Sequence, residues 1–275
     1  MAALMPPTQA ATPGGGAWSG TTLLALLRAE TRKTLSTRTW WALLIPAAVL
    51  SLLVNLAVSE GGGLTVTPAL GMSYALGWFS AKLAVTYGVI CASGEFRHQT
   101  ITTSYLTAPG RMQLVVAKML VAGAVGVAYA VASALLGLIG TLLGGGVAEG
   151  QFGPLLTVCA AAALTFALWA MLGVGVGVLV CNQMAAVVGV LFYLWPAEQA
   201  IAGVASLSGL GDIDEYLPGE AATRTLTAIA GENALDVRPF STGALPWSLT
   251  LLIFAGYTAV VVLAGATVAQ HRDIT

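Results

Sequence analysis

The sequence predicts an all-α integral membrane protein with six transmembrane helices, and three observations carry this prediction. Only 8% of the 275 residues are charged, and 57% are hydrophobic. A soluble chain has about 25% charged residues, so this chain has too little polar surface to cover a particle in water. The apolar residues also fall into six runs, each near the roughly 20 residues that a helix needs to cross the hydrocarbon.

Several classes of function are disfavoured by what the sequence lacks. It has no basic stripe interleaved with aromatic residues, so we expect no nucleic-acid partner. It has no Gly-x-x-x-x-Gly-Lys-Ser/Thr loop, the usual cradle for ATP phosphates. The only histidines, His98 and His271, belong to no His/Cys/carboxylate cluster, which argues against a metal site. We therefore expect no catalytic residue, metal ligand or cofactor-binding residue in this chain.

The chain begins with a segment unlike the rest. Residues 1–19 are rich in Ala, Pro, Thr and Gly and contain no Lys or Arg, so they do not fit a cleaved signal peptide. We expect a disordered cytosolic tail there and a single transmembrane domain over residues 20–275. Residues 20–39 indicate an interfacial helix with leucines on one side and bases such as Arg28 and Arg32 on the other. The alternative is that they only flank the first span.

The six apolar runs give the order of the spans. In the third run Ala122, Gly126, Ala130 and Ala134 recur every four residues, which predicts a smooth face for close helix packing. The longest connection between runs, residues 208–245, is hydrophilic and is predicted to be a loop. The predicted spans cover residues 40–58, 68–94, 112–143, 154–180, 184–207 and 246–270.

The distribution of basic residues predicts the orientation. An even number of spans places both termini on one side, and eight of the eleven Lys and Arg residues fall on that side. Since cytoplasmic segments carry the excess of Lys and Arg, we expect cytosolic termini and a location in the plasma (inner) membrane. The residues on the terminal side are Arg28, Arg32, Lys33, Arg38, Arg97, Arg111, Lys118 and Arg272, against Arg224 and Arg238 on the other.

Two ionisable residues fall inside predicted spans, where a charge is costly. Lys82 is expected to line a polar cavity, to pair with an acid such as Glu198, or to snorkel toward the outer face. Glu198 follows Pro196, and a proline inside a span frees a backbone carbonyl and can break the helix. The break is thus expected to make room for Glu198 as a polar group near the outer leaflet. The alternatives are helix re-entry or a structural hydrogen bond.

The main cytosolic connection between spans is residues 95–111, which we call the polar loop. It is long enough for a short helix that ends before Pro109. Phe96, Ile101 and Tyr105 are expected to share one face of that helix, and a partly apolar, charge-flanked helix is suited to docking a partner. The alternative is a solvated connector.

The polar loop also carries a resemblance to a known family. Directly after the second span, the chain reads Glu95, Phe96, Arg97, His98, Gln99, Thr100, Ile101. This string resembles the first cytosolic loop of type-2 ABC transporter permeases, where an acid-aromatic-Arg motif leads into Gly-Thr-Ile, with Gln99 standing in place of the Gly. Further similar features are Lys118 at the start of the third span, Glu198 in the fifth, the Tyr216-Leu217-Pro218-Gly219 element, and the basic helix before the first span.

The resemblance implies a permease subunit that is not itself an enzyme. It implies an N-terminal elbow helix at the interface and a short cytosolic coupling helix in the polar loop. The coupling residues would be Glu95, Phe96, Arg97, His98, Gln99, Thr100, Ile101 and Tyr105. The partners would be an ABC ATPase subunit that holds ATP and Mg, a second permease copy or paralogue, and membrane lipid. The expected activity is export of a small molecule, drug, peptide or lipid.

Two other functions are compatible with the residues alone. A polytopic membrane enzyme acting on lipid would use Lys82 and Glu198 as its polar centre. A non-transporting membrane sensor would use the hydrophilic segment 208–245.

Overall fold

A computed structural model describes residues 20–60, 67–108, 110–147, 150, 152–208, 213–232 and 245–271. The predicted tail, residues 1–19, lies outside this part of the chain. Within it, all regular structure is helical, as predicted. The α-helices are α1 (Gly20–Ser36), α2 (Thr39–Glu60), α3 (Pro68–Tyr74), α4 (Ala81–Arg97), α5 (Ile101–Thr107), α6 (Arg111–Gly144), α7 (Phe152–Val180), α8 (Gln183–Phe192), α9 (Glu198–Leu207), α10 (Pro218–Glu232) and α11 (Trp247–His271).

The prediction of six membrane-spanning helices is confirmed by length and apolar composition. Six helical stretches of the described chain are long and apolar enough to cross a bilayer, as a multi-pass membrane protein requires. Two of these stretches are composite, since the second consists of α3 and α4 and the fifth of α8 and α9. The spans are Thr39–Glu60, Pro68–Arg97, Arg111–Gly144, Phe152–Val180, Gln183–Ala205 and Trp247–His271.

Both composite spans contain a π-helical segment. Ala75–Ser80 joins α3 to α4, and Tyr193–Ala197 joins α8 to α9. The second of these contains Pro196, whose missing N–H removes one hydrogen bond of the α-helical ladder. Single π-helical turns within longer helices often occur at functional sites. Here they lie just before Lys82 and Glu198, the two ionisable residues singled out in these spans.

The interior is organised around α7, which packs against α4, α6 and α11. Trp169 and Phe166 of this helix are almost completely buried. Small residues allow the close approach, as the sequence predicted for α6. A Cβ atom added at Gly126 would overlap the carbonyl oxygen of Phe166, and one added at Gly88 of α4 would overlap that of Ala170. These helix pairs therefore meet backbone to backbone.

Gly88→Ala is expected to lower the free energy of unfolding by about 1–3 kcal/mol, because α4 and α7 must separate to admit the methyl group. Gly256→Ala in α11 is the matched control, since a Cβ there meets no other atom within 4 Å. Its effect should stay within about 0.5 kcal/mol. Thermal unfolding in detergent measures both variants, and equal unfolding temperatures would contradict this view of the α4–α7 contact.

The hydrophilic connection after the fifth span contains a helix that the sequence analysis missed. We predicted residues 208–245 to be a loop, but α10 occupies Pro218–Glu232 and packs against α3, α7 and α11. Its buried residues recur at helical spacing, a signal that its charged neighbours obscured. They are Ala221, Ala222, Thr223, Thr225, Leu226, Ile229 and Ala230.

Candidate functional site

The polar loop turns sharply where α4 ends. The N–H of Thr100 donates to the carbonyl of Glu95 over 3.0 Å, which closes the end of the helix. Gln99 has a φ of +55°, in the left-handed region. The left-handed conformation costs a residue with a side chain about 1–2 kcal/mol, whereas Gly adopts it without this cost. The geometry gives a physical reason for Gly at this position in the family that the loop resembles, and shows that Gln99 still forms the turn.

The short helix α5 follows this turn and carries only part of the expected apolar face. Phe96 belongs to α4, so it does not share one helical face with Ile101 and Tyr105, contrary to our expectation. Tyr105 is partly buried with Arg111 5.3 Å from its ring centre. Burial and the nearby Glu95 carboxylate raise the pKa of Tyr105, so its hydroxyl stays protonated. Leu106 is 81% exposed and is a large apolar side chain on the outer surface of α5.

The carboxylate of Glu95 points inward, into a group of charges that joins four helices. We call Glu30, Lys33, Glu95 and Lys118 the four-charge cluster. The Lys118 ammonium lies 2.8 Å from Glu30 Oε2 and 2.8 Å from Glu95 Oε1. The Lys33 ammonium lies 2.7 Å from Glu30 Oε1 and 3.0 Å from Glu95 Oε1. Lys33 also donates to Ser104 Oγ over 3.3 Å, so the cluster connects α1, α4, α5 and α6.

Burial makes this cluster more than a surface ion pair. The side chains of Lys118 and Glu30 are only 6% and 4% exposed, whereas that of Lys33 is 48% exposed. Burial favours the neutral acid at Glu30, but the ammonium of Lys118, helped by Lys33, outweighs it and holds the pKa of Glu30 below its ordinary 4.5. The cluster balances two acids with two bases, and only Lys33 among them is substantially exposed.

The sequence analysis named Glu95, Lys33 and Lys118 but missed Glu30. Glu30 is the only acid in α1, a helix that reads as basic. A lone acid one helical turn before Lys33 was the available signal. Two further contacts tie this region together: the hydroxyls of Thr34 and Tyr87 hydrogen-bond at 3.2 Å, and the hydroxyl of Tyr129 donates to the carbonyl of Trp40.

A second polar centre lies inside the spans, around Glu198. This residue is 1% exposed, and its Oε1 accepts the backbone N–H of Gly219 at 2.7 Å and that of Glu220 at 3.3 Å. These N–H groups belong to the first turn of α10. A carboxylate at that end also interacts favourably with the positive end of the helix dipole. Pro218 at the first helical position loses no hydrogen bond. Glu198 therefore caps α10 from the fifth span.

Lys82 belongs to the same centre. Its side chain is almost fully buried, and its ammonium lies 5.1 Å from the ring centre of Trp169, in cation–π contact. Glu198 and Glu220 act on it electrostatically. Among the described residues, Lys82 Nζ makes no ion pair within 4.0 Å and no hydrogen bond. Pairing with Glu198 is thus at longer range than a direct salt bridge.

The predicted site residues form two groups. Glu95 to Ile101 and Tyr105 lie at the end of the second span, and Lys82 lies 13 residues earlier, about 20 Å along the same helix. The helix α4 connects the two groups directly. No group of three or more His, Cys, Asp or Glu side chains in the described chain could hold a metal ion.

Two comparisons of the sequence with known proteins identify no relative. No protein-family model matches the chain, and a search of curated proteins finds no significant match. The features that indicate a function are therefore the residues of the two sites, the helix α4 that links them and the resemblance in the polar loop.

Proposed function

We propose that this chain is the transmembrane permease subunit of an ABC transporter that docks a separate ATPase subunit through the polar loop. The observation that carries the proposal is the four-charge cluster. It anchors the loop to α6 through the Glu95–Lys118 ion pair, and Lys118 in turn holds Glu30 of α1, while Leu106 presents an apolar contact on the outer surface of α5. A docking helix can transmit movement only if it is fixed to the elements that must move.

The contacts define how force would pass from the partner. A push on α5 reaches Lys33 of α1 through Ser104, and Lys33 is paired with Glu95 of α4. Lys118 passes the same displacement to α6. In this proposal α1 is the elbow helix, α5 is the coupling helix, and both lie in the cytosol-facing part of the plasma membrane protein.

Movement of α4 would also displace Lys82, which lies near the other end of this helix. Lys82 contacts Trp169 of α7 and is electrostatically coupled to Glu198, which holds the start of α10. A shift of α4 would therefore change contacts around α10, on the side opposite the polar loop. We propose that Lys82 and Glu198 lie beside the path of an exported small molecule, drug, peptide or lipid, and that two permease chains form the complete path.

A docking test follows from the exposure of Leu106. Leu106→Glu places a charge on the outer surface of α5 without disturbing a buried contact. We expect about tenfold less ATPase subunit to co-purify with the tagged chain from native membranes, which is about 1.4 kcal/mol of binding energy. Quantitative mass spectrometry of the detergent-solubilised complex provides the measurement.

Leu207→Glu is the matched control, because Leu207 is 90% exposed at the other end of the spans. Recovery with this variant should equal that of the wild-type chain. If the wild-type chain recovers no ATPase subunit, the permease proposal fails. If Leu106→Glu recovers as much as Leu207→Glu, the docking surface lies elsewhere.

A further inference from the structure

A cavity of about 500 Å³ lies beside the polar loop, between the end of α4 and the start of α8. None of its lining residues belongs to the four-charge cluster. Arg97 is the last residue of the second span, and Gln183 is the first residue of the fifth. The cavity therefore lies at the boundary between membrane and water. Its lining residues are Ile90, Phe96, Arg97, Cys181, Asn182, Gln183, Met184 and Val187.

The cavity has two chemically distinct parts. Ile90, Phe96, Met184 and Val187 form an apolar part that extends along the two spans. Arg97 and the amide side chains supply a polar rim at the water boundary. No acid is among the lining residues, so the charge of this rim is positive.

Arg97 has unused hydrogen-bonding capacity. Its Nη1 donates to Gln183 Oε1 over a long 3.4 Å, and within the described residues this is its only hydrogen bond. A guanidinium carries five N–H donors in a planar fork that matches the oxygens of a phosphate. The remaining donors are available at the cavity rim, where an anionic headgroup would lie.

We propose that this cavity binds an anionic phospholipid from the leaflet on the polar-loop side. The phosphate would accept hydrogen bonds from Arg97, and an acyl chain would follow Ile90 and Val187 toward the bilayer centre. A lipid fits because one molecule supplies both an anion at the water boundary and an apolar chain along the spans. A bound lipid here would contact Phe96 and Arg97, and so would connect lipid composition to the polar loop.

Native mass spectrometry of the chain extracted from nanodiscs tests the proposal. The nanodiscs contain phosphatidylglycerol and phosphatidylcholine in equal amounts. The wild-type chain should retain phosphatidylglycerol in preference to phosphatidylcholine, and Arg97→Gln should lower that retention about fivefold, the ratio for about 1 kcal/mol per basic residue at an anionic surface. Arg38→Gln controls for the loss of one surface charge, since Arg38 is exposed directly before the first span and does not line the cavity. It should lower the retention of phosphatidylglycerol less than Arg97→Gln does.

A second variant keeps Arg97 and changes the cavity. Val187→Trp should fill the apolar part and reduce retention of both lipids, with an unfolding temperature close to that of the wild-type chain. If Val187→Trp does not fold, Val187→Phe replaces it. Photo-crosslinking with an anionic lipid analogue should label peptides containing residues 90–97 and 183–187.

Three outcomes would overturn the proposal. Equal phosphatidylglycerol retention by the wild-type chain and Arg97→Gln would show that Arg97 does not select the lipid. Displacement of the lipid by millimolar inorganic phosphate would indicate a small-anion site. A lipid-free dimer crosslinked through residues 183–187 would show that a second copy of the chain fills the cavity.

Discussion

Replacing Lys118 by methionine is expected to lower the free energy of unfolding by about 3–5 kcal/mol, the cost of breaking a buried ion pair. Lys118 is 6% exposed and is the shared partner of Glu30 and Glu95. Without it, two carboxylates lie close together and only the half-exposed Lys33 remains to balance them. Thermal unfolding of the purified chain in detergent, followed by tryptophan fluorescence, measures the loss.

Two companion variants identify the cause of this effect. Lys33→Met removes the same charge from the same cluster at a half-exposed position, where an ion pair contributes about 0–1 kcal/mol. The double variant Glu30→Gln/Lys118→Met removes one acid together with its base and should recover part of the lost stability. If Lys33→Met destabilises as much as Lys118→Met, burial of Lys118 is not the source of the effect.

Glu198→Leu has the second large expected effect. The first turn of α10 would lose the acceptor for two backbone N–H groups, a cap that contributes about 0.5–2 kcal/mol. Lys82 would also lose its leading compensating charge inside the spans, which raises the expected total to about 3 kcal/mol or more. Hydrogen exchange of the amides in residues 218–232 should become faster, and the unfolding temperature should fall.

The double variant Lys82→Met/Glu198→Leu distinguishes the two contributions. It removes both charges, so the loss of the cap and of the contact between Lys82 and Trp169 should remain. Glu198→Gln is the conservative control, because its amide oxygen can still accept from Gly219. Unchanged exchange rates in α10 with Glu198→Leu would contradict the capping role.

Much of the membrane architecture was predictable from composition. Six apolar runs can satisfy their backbone groups in lipid only as helices, so the number of spans follows from chain chemistry alone. The close contacts of α6 and α7 were also predictable from the spacing around Gly126. The helix α10 was missed because its apolar stripe is diluted by Thr, Glu and Arg, and only packing against α3, α7 and α11 shows which face is buried.

Part of the candidate site could be read from the sequence and part could not. The string from Glu95 to Ile101 stands out because polar residues are scarce in this chain. The partner of Lys118 could not be found this way, because Glu30 lies 88 residues away and the pairing depends on where α1 rests against α6. The link from Glu198 to Gly219 spans 21 residues and a helix break, which no local pattern specifies.

The sequence by itself determined that this is a membrane protein, how many spans it has and where its polar loop lies along the chain. These follow from composition and from the period of the apolar residues, which act locally. Only the tertiary structure decided which charges meet. Glu95 points into the four-charge cluster, Arg97 faces a separate cavity, and Lys82 lies over Trp169, because helix packing sets the direction of each side chain. A charge buried away from water is costly unless an opposite charge lies nearby. For Lys118 and Lys82 that opposite charge comes from a distant part of the chain.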